Sequence, residues 1–301
     1  MRSLALLMLA VSGGVLPAAP DPIRPADAPV LRDLEVVYVK RSMQHLPKGR
    51  PLGPRLAALG FPSNHESHSS LPKSGYDNEI VIRDLGTGSE RTLYRPDDSS
   101  FVGHLDLHWD GERLLFARGG PKKWEVWEIH IDGTGLRRVS DTPPDVDCYE
   151  PCYLPDGRII VASNAPWQCV PCWHGVEQKF VANLYVMNAD GSGMRRLCFD
   201  QDHDSNPSVR NNGRVIYSRW DYTGMNRLFL RPLMDMNPDG TGQRSVYGSN
   251  SWFPNALYAP RELPGGFFTF FGLQCRPQAL EHGVEHHVSC RLHDASNQGV
   301  R

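Results

Sequence analysis

The 301-residue sequence contains no CxxCH anywhere, which argues against covalent attachment of a c-type haem. Beyond its N-terminus it has no apolar run long enough to cross a bilayer as a helix. Neither charge sign dominates: 32 Lys and Arg stand against 34 Asp and Glu, a formal net charge of −2. Without a basic patch, nucleic acid is not an expected partner. No Ser-His-Asp order or other triad spacing stands out, so catalysis cannot be read from the chain.

What the chain does have is turn chemistry. Leu184 to Met187, then Asp190-Gly191, then Met194 to Cys198 reads as a hairpin. An acidic stretch from Asp200 to Asn206 leads into Pro207, a brief strand, the Asn212-Gly213 turn and a strand from Val215 to Arg219. Asn-Gly and Asp-Gly between apolar runs are hairpin signals because those residues reach φ > 0 cheaply. The spacing predicts one four-stranded antiparallel unit here. The pattern recurs, with turns at Asp132-Gly133 and Asp156-Gly157 and prolines at Pro151 and Pro207. Gly86, Gly133, Gly191 and Gly240 return roughly every fifty residues. The fold class expected is all-β: a β-propeller of four-stranded antiparallel blades, about four in number, hence an incomplete ring.

Arg2 followed by Leu4 to Val11 and then small residues to Ala18-Ala19 reads as a signal peptide over 1–19. The expected setting is export to the periplasm or cell envelope of a bacterium. Residues 20–75 read as a lead-in strand plus a long polar loop, 76–272 as the partial propeller, and 273–301 as a tail without hairpin pattern, disordered or out of frame.

Candidate site residues fall in four groups. His65 and His68 lie three apart in the long loop, as metal or cofactor contacts or as solvated histidines. His104 and His108, with Asp106 between, alternate along a strand, so their side chains share one face while Leu105 and Leu107 face the core. Cys148, Cys152, Cys169 and Cys172, with His174 just beyond, form a crowd. Disulfides are the first expectation in an exported chain, with tetrahedral zinc as the alternative. Asp200, Asp202 and His203 form an acidic stretch with the oxygens calcium wants, but without the glycine and distant Glu of a twelve-residue calcium loop. Zinc or calcium is therefore the possible cofactor.

The segments DNEIVIRDL, IDGTGLRRVSD, PDVDCYEPCYLPDGRIIVAS, NLYVMNADGSGMRRLCFDQDHD and YGSNSWFPNALYA carry a resemblance. They are similar to TolB-type repeats and, more narrowly, to the middle domain of the hydrazine synthase alpha subunit family. That resemblance runs from about Leu34 to Phe271. It implies a six-bladed propeller, flanked in the enzyme by domains holding c-type haems, within a multisubunit assembly that makes hydrazine from nitric oxide and ammonium. The family's Asp/His-rich positions are matched by Asp145, Asp147, Asp200, Asp202 and His203, and its cysteines by Cys152 and Cys172. Cys148 and Cys169 look like additions.

Two function classes follow. The first is an exported, non-catalytic scaffold or binding module that meets another envelope protein or further propeller-containing subunits. The alternative is a metal- or haem-associated redox enzyme subunit of the hydrazine synthase alpha type.

Overall fold

The structure is a computed structural model that describes residues 3–6, 33–42, 60, 62, 66–170, 180–222, 230–248, 256–263, 268–274 and 287–290. The described residues form five open sheets. The first joins β1 (Ser3–Leu6), β2 (Leu34–Arg41), β3 (Asn78–Asp84) and β4 (Glu90–Tyr94), with β1 parallel to β2. The second holds β5 (Val102–Leu107), β6 (Arg113–Gly119), β7 (Trp124–His130) and β8 (Arg137–Arg138). The third holds β9 (Cys148–Tyr153), β10 (Ile159–Ser163), β11 (Asn183–Met187) and β12 (Arg195–Arg196). The fourth holds β13 (Asp204–Val209), β14 (Val215–Arg219), β15 (Leu233–Met236) and β16 (Arg244–Tyr247). The last holds β17 (Ala256–Glu262), β18 (Phe268–Gln274) and β19 (His287–Cys290). A short 3-10 turn, His68–Ser70, precedes β3. No helix among the described residues is long and apolar enough to cross a membrane.

The all-β expectation holds, but the expected β-propeller does not. Among the described residues each sheet ends in edge strands, and none closes into a propeller or barrel. Turn residues specify local hairpins; they say nothing about whether sheets close on one another. The grouping of strands also differs from the expectation. The stretch from Leu184 to Arg219, read as one unit, is split: β11 and β12 complete the third sheet, and β13 and β14 begin the fourth. A repeat pattern gives the period, not the point at which one sheet hands over to the next.

Alternation along the strands sends each sheet's two faces into different cores. Val37, Ile80 and Leu93 of the first sheet pack with Leu105, Leu114 and Phe116 of the second. Leu115 and Val126 of the second pack with Tyr153, Ile159 and Tyr185 of the third. Leu184 and Val186 meet Val215 and Tyr217, while Ile216, on the opposite face of β14, meets Leu257 and Phe268. The sheets thus stack face to face in chain order. Outer strands add ties. Arg91 donates to the Ile131 carbonyl, Arg137 to that of Ala189 and Arg195 to that of Asp239, each reaching the outer turn of the next sheet. The Asp190-Gly191 and Asp239-Gly240 turns fit against the sheet before: at Gly191, with φ 87°, any side chain would collide with the Val139 carbonyl, so only glycine serves there.

The same alternation, once interrupted, accounts for the cysteines. Cys148, Cys152 and Cys198 are buried free thiols and Cys169 an exposed one, so the expected disulfide is absent among the described residues. Four residues apart on a regular strand, Cys148 and Cys152 would share a face. A register shift in β9 sends Cys148 into the core against the second sheet and Cys152 into the central core with Trp124 and Tyr149. Cys172 lies outside the described residues.

Candidate metal centre

The first strand of each of the last four sheets carries the same irregularity. Register shifts interrupt β5, β9, β13 and β17. At each shift one residue takes a positive φ: His104 (53°), Glu150 (51°), Asn206 (54°) and Ala259 (50°). Such a φ is uncommon outside glycine, and a bulge re-aims the side chain it carries. Adjacent bulges are linked. Glu150 Oε2 accepts the Asn206 backbone N–H at 2.6 Å, and Asn206 Oδ1 accepts that of Ala259 at 3.3 Å.

Two of the re-aimed side chains meet a third brought by the segment before β3. Ligand atoms of His68, His104 and Glu150 all lie within 4.8 Å of one another. The segment is held from several sides: Ser67 Oγ donates to the Phe180 carbonyl at 3.1 Å, Ser69 Oγ to the Tyr149 hydroxyl at 3.3 Å, and Arg231 Nη2 to the Glu66 carbonyl at 3.4 Å. The His68 ring, 1 % exposed, packs with ring centroids 4.2 Å from His104 and Trp124, 5.0 Å from Phe101 and 5.3 Å from Tyr149.

The polar atoms here are unsatisfied. Both ring nitrogens of His68, Nδ1 of His104 and Nε1 of Trp124 are buried without a hydrogen-bond partner. Buried polar groups are almost always paired, so a concentration of orphans in one place calls for an explanation. Burial, with Arg41 adding to it, holds His104 down at about 3. Burial and then the nearby His104, Arg41 and Lys73 hold His68 well below its ordinary value. Both imidazoles are therefore neutral at pH 7 and able to ligate. Burial pushes the Glu150 carboxyl up to about 7, against the pull of the Asn206 N–H and Arg231. Two neutral imidazoles and a carboxylate form the donor set of three-ligand zinc sites with an open position and of facial-triad iron sites. The arrangement can hold a divalent metal ion, and it fits nitrogen-favouring metals better than calcium, which takes oxygens.

The other predicted residues are placed elsewhere. The shared face expected of His104, Asp106 and His108 is broken by the bulge: His104 joins the cluster, Asp106 Oδ2 accepts the Tyr153 N–H at 2.8 Å, and His108 Nδ1 pairs with Asp110 at 2.7 Å. Leu105 and Leu107 do face the core. Asp200 pairs with Arg219 at 3.0 Å, Asp202 Oδ2 accepts the Tyr222 N–H at 2.8 Å, and His203 Nδ1 accepts that of Ala182 at 3.1 Å. Cys148 and Cys152 lie in cores, and Cys169 bridges to Phe180. His65, Cys172 and His174 lie outside the described residues. Glu150 was not singled out by the sequence. Its one signal was position: Glu150, Asn206 and Ala259 each directly precede a proline, Pro151, Pro207 and Pro260.

No protein-family profile matches the chain. Hydrazine synthase subunit alpha of Kuenenia stuttgartiensis is 34% identical over 87 residues, 27% of this chain and 10% of that protein. The solved structure of Kuenenia stuttgartiensis hydrazine synthase superposes with a TM-score of 0.58 at 16% identity, over 79% of this chain and 35% of that one. The relationship is distant. TolB from Acinetobacter baumannii gives a TM-score of 0.46 at 15% identity, over 68% of this chain and 46% of that one. The chain thus spans about a tenth of the curated relative that it matches in sequence.

Proposed function

We propose that this chain is a metal-associated domain of the hydrazine synthase alpha kind, with a divalent transition-metal ion held by His68, His104 and Glu150. The observation that carries the reading is the convergence of three ligand atoms within 4.8 Å at the place where imidazole nitrogens stand buried without partners. Bound there, zinc would supply Lewis-acid chemistry and iron would supply redox chemistry; both leave a coordination position open. The distant likeness to hydrazine synthase favours this over a metal-free scaffold. Export to the periplasm or envelope and association with another envelope subunit belong to the same proposal. They rest on the N-terminal apolar run and on the multi-subunit relative.

The test is metal analysis of the purified full chain by mass spectrometry, followed by calorimetric titration of the stripped protein with zinc. One ion per chain, lost in His68→Ala and Glu150→Gln, is the expected result. A stripped chain that binds no zinc, cobalt or iron refutes the reading.

A further inference from the structure

We infer that the metal at His68, His104 and Glu150 takes a small oxyanion, a carboxylate being the simplest, as its exogenous ligand, with the indole N–H of Trp124 as the second anchor. This rests on the metal reading above and goes beyond it by naming what fills the open position. The argument is one of unmatched donors and unmatched charge.

A metal ion relieves only acceptor atoms. It takes one nitrogen from each imidazole and does nothing for a buried N–H. The Trp124 indole nitrogen is a donor only. It is fully buried and donates to nothing, yet its ring packs with centroid 4.2 Å from that of His68. That indole N–H, on a ring packed against His68, therefore calls for an acceptor. Leaving a buried donor without one is costly.

Charge selects which acceptor. A divalent ion held by two imidazoles and a single carboxylate leaves a net positive centre in a buried place. The surroundings add to it. Lys73 acts electrostatically on His68, and its Nζ lies 5.9 Å from the centre of the Trp124 ring. An uncompensated buried charge is costly; a bound water supplies no charge, and a bound hydroxide supplies charge but has its single oxygen on the metal. An oxyanion supplies both: one oxygen to the metal and one to the indole.

The experiment uses the full chain reconstituted with Co²⁺, whose visible bands report its ligands, titrated with sodium acetate at constant ionic strength. The expected result is a saturable change in the bands. In Trp124→Phe, which keeps the aromatic packing, acetate should bind about tenfold more weakly while cobalt affinity stays within about threefold. Lys73→Met is the second variant, in case Trp124→Phe fails to fold, and it should weaken acetate severalfold. Cobalt bands that acetate leaves unchanged overturn the inference and spare the metal reading, as does undiminished acetate binding in both variants. Absence of cobalt binding in the unaltered chain overturns both.

Discussion

The His68 cluster and the acidic stretch from Asp200 to Asp204 both set histidine beside carboxylate, and both lie where an inner strand begins or bends. Their side chains do opposite things. In the acidic stretch Asp200 holds Arg219, Asp202 holds the Tyr222 N–H and His203 holds the Ala182 N–H. His203 also stacks on Trp220 with ring centroids 5.1 Å apart. These residues are fastenings between strands. In the His68 cluster both His68 nitrogens and one of His104 hold nothing, although they are buried. At the acidic stretch Asp202 Oδ1 and the Trp220 indole nitrogen are left over, yet each histidine and carboxyl of the stretch already holds a partner. Residue type made both places candidates; what separates them is whether the fold already engages the imidazoles.

The largest effect that would break this contrast is on metal affinity. His68→Ala or Glu150→Gln should weaken zinc binding by about a hundredfold or more, since each removes a direct ligand and second-layer changes alone cost about 10–100-fold. Calorimetry checks this, and equal loss in Asp200→Asn would erase the distinction. The next effect concerns pH. Burial raises the carboxyls of Glu150 to about 7 and of Asp106 to about 6. A carboxyl raised by folding favours the folded state at low pH and loses that contribution as pH climbs through its folded value. The metal-free protein should therefore melt at higher temperature at pH 5 than at pH 7.5 as far as these two groups decide. Glu150→Gln should flatten the dependence in that window. A steeper dependence in the variant contradicts the assignment.

Asp202→Ala sharpens the contrast from the other side. It should leave zinc stoichiometry unchanged and lower stability by about 1–3 kcal/mol through the stranded Tyr222 N–H, readable as a fall in denaturant midpoint. The smallest effect is expected at Arg195, whose bond to the Asp239 carbonyl lies at the surface. Arg195→Ala should cost about 0–1 kcal/mol, and a larger loss would mark the outer ties as central to the fold.

Much of the local structure was legible. The strand from Val215 to Arg219 has the predicted bounds, with Val215 and Tyr217 on one face and Ile216 on the other. These positions obey a period of two between strong turn residues. Legibility failed wherever that period was interrupted. A bulge inserts one residue and reverses every side chain beyond it. The bulge therefore separated Cys148 from Cys152, took His104 out of the row with His108 and turned Glu150 inward. No residue type marks a bulge as glycine marks a turn, and here only the proline after Glu150, Asn206 and Ala259 hinted at it. The joining of His68 to His104 and Glu150 was beyond sequence reading for another reason. It depends on how a loop crosses sheets far from it along the chain.

The ties from Arg91, Arg137 and Arg195 to the next sheet's outer turn run in one direction only, from each sheet to its successor. Consecutive sheets share cores, and one central core joins the second, third and fourth sheets together. Pulled apart, the first and fifth sheets should therefore peel before the three in the middle. The sheets that supply His104 and Glu150 lie mid-series, shielded from fraying by those on either side.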